Sequence, residues 1–139
     1  MNDVVINKIQ TIRRCIARAR DEFEKSGDEF DTDYTRQDAA ILNLLRACEQ
    51  PVDLANHVIR TYKMGIPAGS AESFLLLADQ SVIDREMALR LGRMVQFRNI
   101  VIHEYRKTHI GIVKSVIQKE CGNLLDFAAK IKSFVGKCI

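Results

Sequence analysis

Val5, Ile9, Ile12, Ile16, Ala19 and Phe23 follow one another at steps of 4, 3, 4, 3 and 4 residues. An α-helix completes a turn about every 3.6 residues, so this spacing lays all six side chains along one stripe. A strand cannot use it, because steps of three throw alternate side chains onto opposite faces. The same spacing returns three more times. It runs through Ile41, Leu44, Leu45, Cys48, Val52, Ala55, Ile59 and Tyr62, then through Met87, Leu91, Met94, Val95, Val101 and Ile102. The last stripe is Ile110, Val113, Ile117, Cys121, Leu124, Ala128, Ile131 and Val135. Each stripe must be buried against another, which predicts helices packed on helices.

The breaks between stripes are short. "KSGDEFDTD" over 25–33 is polar, with a glycine and several capping side chains. Pro51 falls inside the second stripe, and the pattern resumes in register after it, so a kinked helix is expected rather than two. "KMGIPAGS" over 63–70 should close that helix with its glycine, and "SFLLLADQ" over 73–80 reads as a two-turn helix. "SVID" over 81–84 supplies a cap for the next helix, and His109 is expected to cap the last. With two prolines and seven glycines in 139 residues, the chain has material for few turns and long elements. The fold expected is all-α: an up-and-down antiparallel bundle of four long helices plus a short one, forming a single domain over 1–139.

Several function classes drop out. No run of about 18 apolar residues exists to span a membrane. The opening "MNDVVINKIQTIRRC" mixes acid and base within its first apolar repeat, unlike a secretory signal. Cys15, Cys48, Cys121 and Cys138 fit no metal-knuckle spacing; Cys48 and Cys121 are stripe positions, and Cys15 borders the first stripe, three residues after Ile12 and four before Ala19. They read as reduced core residues of a cytoplasmic protein, with no metal and no cofactor implied. The net charge of +3 decides little, but its distribution is uneven. Between Arg85 and Lys119 eight basic residues face only Glu86 and Glu104, while the rest of the chain holds thirteen basic and sixteen acidic residues. Such a surplus suits an anionic ligand such as phosphate or RNA.

Within that basic stretch stands "RNIVIHEY", residues 98–105. At about 100° per residue, with Met87 at zero, the apolar face of the fourth helix centres near 20°. Arg98 falls at about 20°, the middle of that face. An unpaired buried guanidinium costs several kcal/mol or more, so Arg98 needs either an acid on another helix or a wet cleft that an anion visits. Asn99 and His103 lie one turn apart on the flank, and Tyr105 returns beneath Arg98 if the helix persists. A histidine near a helix C-terminus is favoured in its protonated form, as a general acid requires, although such histidines are commonly solvated caps. Spacing leaves both alternatives open.

"RNIVIHEY" resembles the Arg, four residues, His, any residue, Tyr signature of the HEPN superfamily, and most of all the HepT-like ribonuclease toxins. "MNDVVINKIQTIRRC", "AAILNLLRACEQPVDLANHVI" and "GIPAGSAESFLLLA" resemble the same family in the same order, so the likeness covers nearly the whole chain. The resemblance implies a two-fold homodimer whose cleft is lined by both copies of the motif. It implies the toxin of a type VII-like HEPN/MNT toxin–antitoxin system, a metal-independent endoribonuclease acting by 2′-hydroxyl transesterification on messenger or transfer RNA. By position, His103 would be the general acid or base, Arg98 would stabilise the phosphorane and Asn99 would orient histidine or phosphate. Tyr105 would receive AMP from the cognate minimal nucleotidyltransferase antitoxin, silencing the site as a phosphorylation would. Cyclisation needs one base and one acid, and a dimer could bring two copies of His103 together.

Two other readings compete. The chain could be a non-catalytic, substrate-binding partner of a nucleotidyltransferase, or a purely structural dimer. Glu104 is expected to point to solvent rather than to orient His103. His57, off the second stripe, reads as surface or interface, and Arg13, Arg14, Arg18 and Arg20 read as a solvated face with an RNA or antitoxin contact as the alternative. Tyr34 and Tyr62 are assigned to packing.

Overall fold

A computed structural model of the chain describes residues 3–104 and 110–137, and of residues 103 and 104 the backbone alone. The first stripe becomes α1, Asp3–Ser26. Its periodic positions Val5, Ile9, Ile12, Ile16 and Ala19 are all buried. A short 3-10 turn, Gly27–Glu29, leads to Phe30, which meets Phe23 edge to face at 5.0 Å and seals the end of the hairpin. Asp33 caps α2, Tyr34–Thr61, by accepting from the Arg36 backbone amide at 3.2 Å.

Helix α2 runs unbroken through Pro51, as its uninterrupted register predicts. Its closure differs from the expectation. Lys63, at φ +55°, takes the left-handed position that a glycine was expected to fill, and Gly65 lies two residues further on. The Met64 amide donates to the Ile59 carbonyl at 2.9 Å, a Schellman closure that secures the carbonyls at the helix end. Helix α3, Ser70–Asp79, ends the same way around Ser81, at φ +60°, with Val82 donating to Leu77 at 3.0 Å. In each case the two backbone bonds hold a side-chain-bearing residue in the conformation that glycine adopts most easily.

Asp84 accepts from the Met87 amide at 2.7 Å and starts α4, Arg85–Glu104, where "SVID" placed a cap. The last stripe spans α5, Ile110–Ser115, a π-helical turn, Val116–Glu120, and α6, Cys121–Lys137. No periodicity argument anticipated that π turn. Among the described residues there is no strand. Helix α2 lies centrally, touching α1, α3, α4 and α6. The result is the expected up-and-down bundle of four long helices plus the short α3.

The core is continuous. Ile12, Ile16, Leu44, Leu54, Leu91 and Leu124 are buried, and Phe74 of α3 meets Phe127 of α6 edge to face at 5.6 Å. Tyr62 packs as expected, against Phe134 at 5.1 Å, but Tyr34 is 68% exposed and does not pack. Helix α4 also departs from its stripe: Phe97 and Ala88 are buried, whereas Ile102 is 40% exposed. The neighbours of α4 decide this: among the described residues, it is covered chiefly on the sides that touch α2, α3 and α6. Among the described residues, no helix is long and apolar enough to cross a membrane.

Candidate active site

Arg98 projects from the penultimate turn of α4 toward α2. Glu49 meets it there: Arg98 Nε and Nη2 both donate to Glu49 Oε1, at 3.2 and 2.8 Å. Arg98 Nη1 donates to Asn99 Oδ1 at 3.1 Å. The two requirements for an arginine at this position are thus met together, by an acid on another helix and by a cleft. The cleft encloses about 290 Å³ and is lined by Cys48, Glu49, Val52, Asp53, Ser70, Val95, Arg98 and Asn99.

The pair is not deeply buried. The side chains of Arg98 and Glu49 are 35% and 42% exposed, so water reaches both and Arg98 can exchange partners without a large desolvation penalty. Asp53 opens onto the same cleft and is offset by Lys8 of α1 at 3.8 Å. Where α3 approaches α2, Ser73 Oγ donates to Asn56 Oδ1 at 2.6 Å, tying the two helices together. One turn beyond Asp53, His57 has its pKa lowered by desolvation first, then by Arg60 and Lys8. It is half-buried beside the cleft rather than part of it, in keeping with its assignment off the stripe.

The cysteines sit behind this surface. Cys15, Cys48 and Cys121 are buried free thiols, as the stripes indicated, and Cys138 lies outside the described residues. Burial is the main reason that the Cys48 thiol is pushed far up, with Cys121 and Glu49 adding and Arg98 opposing. Burial likewise raises Cys121 to about 11, against the pull of Arg20. Neither is a nucleophile near neutral pH. Of the basic cluster on α1, Arg13, Arg14 and Arg18 are exposed and Arg20 is half-buried.

Of the residues singled out in the sequence, Arg98 and Asn99 are brought together at the cleft. The backbone of His103 lies in the last turn of α4, one turn beyond Asn99. The side chains of His103 and Glu104, together with Tyr105 and His109, lie outside the described residues. Glu49 was missed. It lies on the flank of the α2 stripe, and nothing in its spacing separates it from the other seventeen acidic residues of the chain. Only the crossing of α2 and α4 reveals it.

An all-α bundle with an arginine–asparagine pair opening onto a cleft, near the end of the helix that carries the histidine, is the arrangement that the resemblance to HEPN domains implies. Comparison with known proteins narrows this further. Residues 12–131 match the family described as ribonuclease HepT-like, and the chain belongs to that family. It is 42% identical over 133 residues to the mRNA nuclease HepT of Shewanella oneidensis, covering 96% of this chain and 99% of that protein. A solved structure of the tri-AMPylated HEPN toxin of Shewanella oneidensis, in complex with its MNT antitoxin, superposes with a TM-score of 0.88 at 41% identity. That match covers 96% of this chain and 99% of the other. The cytosolic protein of unknown function YutE from Bacillus subtilis shares the fold, with a TM-score of 0.81 at 16% identity, over 97% of this chain and 90% of that one.

Proposed function

We propose that this chain is the toxin of a HEPN/MNT toxin–antitoxin pair, an endoribonuclease of the cytoplasm acting on messenger or transfer RNA. The observation that carries the reading is Arg98 with Asn99 at a water-accessible cleft, in a chain so similar to an mRNA nuclease along its whole length. In the reaction, the ribose 2′-oxygen attacks the adjacent phosphorus. A base removes the 2′-hydroxyl proton, the new 2′-O–P bond forms, and the bond from phosphorus to the 5′-oxygen breaks. An acid protonates that oxygen, leaving a 2′,3′-cyclic phosphate and a free 5′-hydroxyl.

Arg98 would stabilise the negative charge of the phosphorane, His103 would serve as acid or base, and Asn99 would orient the histidine or the phosphate. A homodimer supplies the second acid–base group, since each chain carries one motif histidine. The exposed Leu89 and Ile100, which share one face of α4, support an interface along that face. Tyr105 would be the site at which the nucleotidyltransferase antitoxin adds AMP. Added charge and bulk at a motif tyrosine would exclude an RNA phosphate. The Glu49–Arg98 pair is also what a non-catalytic partner of the nucleotidyltransferase would show, and the same assay separates the two readings.

The test is RNA cleavage in EDTA by the wild type and by His103→Ala, with end-group analysis of the fragments and mass spectrometry to establish that Tyr105 is bare. Cleavage that survives the chelator, ends in cyclic phosphate and disappears in the variant is the expected result. No cleavage by unmodified wild type would leave the non-catalytic partner as the function. Unchanged cleavage by His103→Ala would remove His103 from the mechanism.

A further inference from the structure

Glu49 is a carboxylate in a cleft read as receiving an anion. Asp53, the other acid there, has Lys8 across from it, but Glu49 has only Arg98 among the described residues. Its bonds are selective. A guanidinium carries five N–H donors in a planar fork. Glu49 Oε1 takes Nε and one donor of Nη2, and Asn99 takes one donor of Nη1. Each terminal nitrogen keeps one N–H, the number a bidentate phosphate contact uses.

We propose that Glu49 is a positioning residue, which grips Arg98 along its Nε edge and fixes the guanidinium so that its remaining donors face a phosphate in the cleft. This rests on reading Arg98 as the phosphate-binding group. Glu49 holds the fork from α2 through Nε and Nη2, and Asn99 holds it from α4 itself through Nη1. A long side chain that would otherwise sample several rotamers is held in one plane before substrate arrives. The carboxylate has an opposing effect, since its charge repels a bound phosphate. The two effects fall on different constants. Loss of the grip lowers kcat, whereas loss of the repulsion tightens ground-state binding.

The experiment compares wild type, Glu49→Ala and Glu49→Gln. All three are expected to fold, because the Glu49 side chain is 42% exposed on a helix and is not among the buried residues of the core. Cleavage kinetics on a defined RNA should show kcat falling about 100-fold in Glu49→Ala, as for a misplaced transition-state contact, with KM unchanged or lower. Glu49→Gln retains an oxygen able to accept both bonds and should stay within about tenfold of wild type. The companion measurement needs no RNA. The Arg98 Nε–H, assigned by its disappearance in Arg98→Lys, should have an NMR order parameter near about 0.85 in wild type, fall below about 0.6 in Glu49→Ala and recover in Glu49→Gln.

An Nε–H equally ordered in all three proteins overturns the proposal. So does a Glu49→Ala variant that cleaves as fast as wild type or faster, which would make Glu49 a brake. A Glu49→Gln variant as inactive as Glu49→Ala also overturns it, in favour of proton transfer by the carboxylate. If wild type cleaves no RNA while the NMR pattern holds, the ribonuclease reading fails and the grip on Arg98 stands.

Discussion

Arg98→Ala separates the two demands that bear on this side chain. A fully buried ion pair would lose about 3–5 kcal/mol of stability when one partner is removed. The geometry here indicates much less. With side chains 35% and 42% exposed, Glu49 is rehydrated when Arg98 is gone, and solvent screens the pair. Its worth is then under about 1 kcal/mol, and alanine returns a few tenths through helix propensity. Urea unfolding should therefore give a stability loss below about 1 kcal/mol, a shift in Tm of no more than about 4 °C. Catalysis should suffer far more. Removing one preorganised donor to an oxyanion typically lowers kcat by about 100- to 1000-fold, or roughly 3–4 kcal/mol in the barrier. Kinetics on one RNA and urea melts of the same preparations measure both quantities. A stability loss above about 3 kcal/mol would refute the solvent-screened description of the pair. A kcat within about threefold of wild type would remove Arg98 from the chemistry.

Two further outcomes follow from the core. Phe127→Ala, which deletes a buried ring in edge-to-face contact with Phe74, should cost about 3–5 kcal/mol in urea unfolding, and a loss below about 1 kcal/mol would mean that α3 and α6 do not pack as described. Cys15, Cys48 and Cys121 should resist iodoacetamide in the native protein at pH 8, since all three are buried and burial holds Cys48 and Cys121 in the thiol form, and should react once unfolded. Mass spectrometry showing Cys48 or Cys121 alkylated within minutes under native conditions would contradict their placement.

The helices were legible because burying a helix requires a repeating stripe, and such a stripe survives in one dimension. Val5 to Phe23 specify α1 without any partner being known, and Asp84 announces α4 because a cap bonds only its immediate neighbours. Side-chain cues failed where backbone bonds or contacts between helices took over. Lys63 and Ser81 hold left-handed positions because backbone bonds to the preceding turn secure them, and no side-chain preference records that. Phe97 is buried and Ile102 exposed because α4 is covered only where its neighbours reach it.

The candidate site divides in the same way. The sequence by itself determined that Arg98 stands mid-face on an apolar helix, with Asn99 beside it and His103 one turn on, because all three lie within two turns of one helix. It also determined that such an arginine must have either an acid or a cleft, since the cost of an unpaired buried charge does not depend on the fold. Which acid answers it was decided only by the tertiary structure. Glu49 lies 49 residues earlier in the chain, and its bond to Arg98 exists solely because α2 and α4 cross at that point. Periodicity fixes a residue's direction around its own helix, but contact between two helices depends on their relative placement, and that is set by the packing of the whole core.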